Sequence, residues 1–105
     1  MKKLTSPFSR EIYERNAQIY KLLANPKRLE ILNILKLGEG TVDQLAEALD
    51  AKKANVSQHL AVLRYLKMVR VRPAGKNRFY RLADPRLVTV CRVLKDLWQK
   101  GGVLS

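Results

Sequence analysis

Four hydrogen-bonding side chains fall within five consecutive positions: Asn55, Ser57, Gln58 and His59. Asn and Gln amides donate and accept at once, as the adenine edge requires, and Ser and His add a hydroxyl and an imidazole. On the outward face of a helix such a set could read base edges in the roughly 12 Å major groove of duplex DNA. Its surroundings carry charge of one sign. From Ala51 to Ala83 there are nine basic residues, among them Lys52, Lys53, Arg64, Lys76 and Arg78, and no Asp or Glu. The rest of the chain has twelve basic and nine acidic residues, so most of the formal net charge of +12 sits in that segment. A surface that need only be solvated intersperses both signs, because a one-signed field costs self-repulsion. The five named cations are therefore candidates for DNA phosphates or the minor groove. Other chemistry has little to build on. One His, one Cys (Cys91) and no glycine-rich phosphate loop leave no triad, dyad or nucleotide site, so neither an enzyme nor a cofactor is expected.

The elements that must position these residues follow from hydrophobic period and caps. A first helix starts after Ser9 and runs to about Ala24, with Ile12, Ile19 and Leu23 at helical spacing. Asn25-Pro26 is an N-cap followed by proline at the first helical position, and opens a strongly apolar second helix that Gly38 and Gly40 stop. Thr41 and Gln44 fit a capping box for a short third helix with Leu45, Ala46 and Leu49 inward. After a break at 50–52, a fourth helix spans Lys53 to Leu66 on the stripe Val56, Leu60, Leu63 and Leu66. The period then falls to two. Val69–Arg72 and Phe79–Leu82 flank the turn-forming Pro73-Ala74-Gly75-Lys76-Asn77, a β-hairpin with a basic tip. Asp84-Pro85 restarts a helix with Leu87, Cys91, Leu94 and Trp98 on one stripe, ended by Gly101-Gly102. The expected fold is mainly α with a small β-hairpin, a winged helix-turn-helix in the order α1-α2-α3-α4-β1-β2-α5.

The fourth helix has no obvious N-cap, and Lys52 and Lys53 at its start oppose the helix dipole by about 0.3–1 kcal/mol. A bound DNA phosphate would satisfy the free N–H groups and neutralise both lysines.

At 105 residues the chain suits one domain, 1–105, long enough to bury a core without metal or disulfide staples. A pI near 10.3 points to a polyanionic partner. No membrane-length apolar run and no secretory leader are visible, so the expected location is the cytoplasm, with no membrane partner.

Three segments together carry a resemblance. Residues 23–32 (Leu23-Ala24-Asn25-Pro26-Lys27-Arg28-Leu29-Glu30-Ile31-Leu32), Val56-Ser57-Gln58-His59-Leu60-Ala61-Val62-Leu63, and Gly75-Lys76-Asn77-Arg78-Phe79-Tyr80-Arg81-Leu82 resemble the opening signature, recognition helix and wing of the ArsR/SmtB family of winged-helix repressors. The resemblance implies a homodimer on a palindromic operator in double-stranded DNA, released by an effector that the sequence does not name. The helices near 9–24 and 84–100 would be the dimerisation elements, with Ile12, Ile19, Leu23, Leu87, Cys91, Leu94 and Trp98 at the interface. Many family members sense metals, and here the sequence departs. The stretch Glu39-Gly40-Thr41-Val42-Asp43-Gln44-Leu45, where a cysteine motif would fall, holds no Cys. On the last helix Asp84 matches the first ligand position, but Arg86, Leu97 and Lys100 stand at the other three and offer zinc no lone pair. No metal site is expected, and Asp84 reads as an N-cap. Cys91 reads most simply as a small buried residue; the sharper alternative is a redox sensor that meets its own copy across a two-fold axis. A further reading needs the same charge and fold but no operator: an architectural, weakly sequence-specific DNA-binding protein.

Overall fold

A computed structural model describes residues 2–104. It contains α1 (Arg10–Leu23), α2 (Pro26–Leu35), α3 (Val42–Leu49), α4 (Lys53–Tyr65), β1 (Val69–Ala74), β2 (Asn77–Leu82), a 3-10 turn (Pro85–Val88) and α5 (Thr89–Gln99). The expected order of elements is observed.

The caps do what their residue types allow. Asn25 Oδ1 accepts the Arg28 N–H at 3.2 Å, with Pro26 opening α2. At α3 the reciprocal box is complete: Gln44 N–H donates to Thr41 Oγ1 at 3.2 Å, and Thr41 N–H donates to Gln44 Oε1 at 2.9 Å. Ser9 occupies the N-cap position of α1, but its side chain makes no capping bond. The break between α3 and α4 turns on Asp50, whose φ of 50° is left-handed, a conformation that Asp tolerates better than most residues. One boundary differs from expectation. Asp84 Oδ1 accepts the Arg86 N–H at 2.9 Å, but it caps a 3-10 turn, and the α-helix begins only at Thr89.

The core lies between α2, α3 and α4. Ile31, Leu32, Leu35, Leu45, Ala46, Leu49, Val56, Leu60 and Leu63 are buried there, closed by Met68, Val69 and Val88. Cutting one of the fully enclosed leucines to Ala should cost about 2–5 kcal/mol, the transfer term plus the cavity left behind. The hairpin pairs Val69 with Leu82 through to Ala74 with Asn77, leaving Gly75-Lys76 as a two-residue turn; Gly75 supplies the positive φ of 61° that such a turn needs. Gly40 holds the hairpin to the helical core by exchanging two backbone bonds with Tyr80, at 3.0 and 2.8 Å.

The first and last helices stand apart from this core. No residue of α1 or α5 is buried. Ile19, Leu23 and Leu87 pack partly against the core, whereas Ile12, Leu94 and Trp98 are 41%, 45% and 47% exposed. Cys91, expected to be buried, is exposed in the single chain. The reason is geometric: α5 is tied to the core through Val88 and Leu87 of the turn before it, and no residue of the helix itself is buried.

Candidate nucleic-acid interface

The α4 helix is built for two tasks. Val56, Leu60 and Leu63 face the core, and at 100° per residue Gln58 points directly away from them. Asn55 lies on one flank of that outward face, Ser57 and Arg64 on the other, and all four are exposed. Ala54 and Ala61, also exposed, leave the outward surface low, which permits close approach to a groove. His59 differs from its neighbours: it is half-buried, and its Nδ1 accepts a hydrogen bond from Arg28 Nε at 3.2 Å. Burial first, and then the charges of Arg28 and Lys27, hold its pKa below the ordinary value of 6.5, which keeps the ring neutral at pH 7.

At the start of α4, Lys52 is the N-cap residue, its side chain makes no capping bond, and the first turn holds no acid. The amide end of α4 is thus without a side-chain cap and beside cations. Lys53 is partly neutralised, however, since its Nζ lies 3.1 Å from Asp43 Oδ1 on α3, with both groups largely exposed. Lys76 sits in the hairpin turn and Arg78 at the first register positions of β2, both exposed. The four candidate base-reading residues and Arg64 thus share α4, Lys52 and Lys53 stand at its start, and Lys76 and Arg78 stand on a separate wing.

Three further residues on or beside these elements were not singled out from the sequence. Arg72 donates to both carboxylate oxygens of Glu39, at 2.8 and 3.4 Å, and stacks 5.0 Å from the centre of the Phe79 ring. The guanidinium pulls the Glu39 pKa down, and the carboxylate raises that of Arg72. This pair fastens the base of the wing to the loop before α3, so Arg72 is structural as well as basic. The strict alternation of Val69-Arg70-Val71-Arg72 signals a strand, but the partner, 33 residues away, has no local signature. Arg28 is the second, and Tyr65, 80% exposed at the end of α4, is the third.

Comparison with known proteins agrees with this geometry. A model described as the bacterial regulatory protein, arsR family, matches residues 25–71. The chain is 32% identical over 88 residues to a transcriptional repressor SmtB homolog of Synechocystis, covering 84% of this chain and 67% of that one. It is 35% identical over 83 residues to the arsenical resistance operon repressor of Escherichia coli, covering 78% and 71%. Among solved structures it is similar to the AntR antimony-specific transcriptional repressor, with a TM-score of 0.78 and 27% identity over 91% of this chain and 90% of that one. It is also similar to the homodimeric winged helix-turn-helix DNA-binding domain of a possible ArsR-family regulator from Mycobacterium bovis, with a TM-score of 0.73, 30% identity, and coverage of 90% and 91%.

Proposed function

The chain belongs to the arsR family of bacterial regulatory proteins, DNA-binding regulators of transcription, and on that premise we propose that it acts as a homodimeric repressor seated on a two-fold symmetric operator. The observation that carries this reading is the coincidence of an exposed hydrogen-bonding face on α4 with a stretch of 33 residues that holds nine cations and no acid. Asn55, Ser57, Gln58 and His59 read bases; Lys52, Lys53, Arg64, Lys76 and Arg78 hold phosphates or enter the minor groove. The apolar faces of α1 and α5 close on those of a second copy, through Ile12, Ile19, Leu23, Leu87, Cys91, Leu94 and Trp98. That arrangement is supported by the absence of any buried residue on either helix in the single chain. The two common metal-sensing positions of the family hold no ligand set; if release is oxidative, Cys91→Ser abolishes the response. Among the described residues no helix is long and apolar enough to cross a membrane, in keeping with work on DNA in the cytoplasm.

The test is selection of bound duplexes from a randomised pool at about 150 mM salt, where contacts to phosphate alone are weakened. A two-fold symmetric site, with half-sites about one helical turn apart, is the expected result. No consensus, with affinity that collapses as salt rises, would leave an architectural DNA-binding protein instead.

A further inference from the structure

The one histidine of the chain is on α4 and is linked to α2, and through Arg28 to α1. On α4, His59 Nδ1 accepts from Arg28 Nε–H of α2 at 3.2 Å. Arg28 is itself held at two further points. Its backbone N–H donates to Asn25 Oδ1, and its Nη1 donates to the Leu22 carbonyl of α1 at 2.7 Å. That carbonyl is among the last four of α1, which have no partner within their own helix, so the guanidinium also finishes α1.

The chemistry of this contact has one outcome. A guanidinium only donates and does not lose its proton, so the imidazole nitrogen facing it must be bare. A neutral ring then carries its single proton on Nε2. Which nitrogen holds the proton decides what the other edge of the ring can recognise. The doubly protonated ring is disfavoured as well. The charged groups acting on His59, Arg28 and Lys27, both come from α2 and both are cations; Lys27 is anchored by donating to the Leu49 carbonyl at 3.1 Å.

We infer that Arg28 is a positioning residue that fixes His59 as a neutral, Nε2-protonated donor, so that this place on α4 selects a hydrogen-bond acceptor on a base edge. The acceptors available in the major groove are guanine O6 and N7, adenine N7 and thymine O4; the cytosine amino group is refused. The inference rests on the proposal that α4 reads bases. A histidine without Arg28 could present either nitrogen and would discriminate less.

Two experiments test it, and they fail separately. In the free protein at pH 7.5, nitrogen NMR of the single imidazole should show a protonated Nε2 and a bare Nδ1, and Arg28→Met should mix the two tautomers. A protonated Nδ1 in the unaltered protein, as either the other tautomer or the imidazolium, overturns the inference without touching the reading of α4. The second experiment compares duplex selections by the unaltered protein, Arg28→Met, His59→Gln and the double variant. The Gln amide supplies a donor that does not depend on Arg28. Arg28→Met should lower preference at one base pair of each half-site by about tenfold, and should have no such effect in the His59→Gln background. An equal loss at all duplexes in both backgrounds makes Arg28 merely structural and overturns the inference. The expected tautomer with no base pair that depends on residue 59 removes base reading from that position, and the inference falls with it.

Discussion

His59 and Asp84 each tie stability to pH, and the His59 window opens at the higher pH. His59 has a depressed pKa in the folded chain, so the unfolded chain takes up the proton first as pH falls. Its contribution is complete above about pH 6.5 and is lost as pH drops through the lower, folded value. The melting temperature should therefore fall as pH drops below about 6.5, and His59→Gln should flatten that limb. A limb of unchanged slope in His59→Gln would assign it to other groups. Asp84 works the same way further down. Its pKa is lowered to about 2, chiefly by the side chain of Arg86 and then by the backbone N–H it caps. An ordinary carboxyl titrates near 3.8, so the Asp84 contribution is present above that value and disappears as pH approaches 2. Asp84→Asn keeps an acceptor for the Arg86 N–H but loses the ion pair. Its melting curve should be less dependent on pH between about 4 and 2, and equal dependence in both proteins would show that the pair is too well solvated to matter.

The two ends of the helix-turn-helix carry opposite designs. The capping box at Thr41 satisfies two backbone groups within the protein, so Thr41→Ala should cost about 1 kcal/mol in urea unfolding and leave the salt dependence of DNA binding unchanged. The start of α4 has no such cap, and its free amides and lysines suit an incoming phosphate. Changing Lys52 and Lys53 together to Ala should weaken binding to all duplexes alike and reduce the slope of log affinity against log salt by about two, one for each phosphate contact. A slope reduced by about one would mean that Asp43 keeps Lys53 occupied in the complex. Why these elements were legible, and others not, comes down to range. The caps at Asn25, Thr41 and Asp84 and the stripe on α4 are written within four residues of one another. The bonds from Arg72 to Glu39, Gly40 to Tyr80 and Arg28 to His59 join residues 31 to 40 positions apart, where neither period nor propensity reaches. The 3-10 entry to α5 belongs to the same class: a cap followed by proline announces that a helix begins, but the packing of Val88 into the core sets how tightly its first turn winds.

The whole molecule is extended for its size. Its radius of gyration is 16.7 Å and its longest dimension 63 Å, against about 13 Å expected for the radius of a compact chain of 100 residues. The excess is in keeping with α1 and α5, which bury none of their residues and carry apolar side chains outward: Ile12, Tyr20, Val90, Leu94, Leu97 and Trp98 are each 41–66% exposed. An apolar stripe on both terminal helices has no use in a monomer and is what two copies would cover across a two-fold axis. Dimerisation then contributes to stability by mass action, so the melting temperature of the unaltered protein should rise with concentration. Leu94→Glu puts a carboxylate on this stripe, where it would be desolvated against the partner's apolar face. Sedimentation should give a dimer for the unaltered chain and a monomer for Leu94→Glu, with the helical circular dichroism retained because the core between α2 and α4 does not include residue 94. Operator affinity should fall with it, since one half-site held alone loses the second set of contacts and the effective concentration that the partner supplies. A monomeric variant that still binds the full operator as tightly as the unaltered protein would break the link between these helices and DNA recognition, and would leave the apolar stripe to a partner other than a second copy.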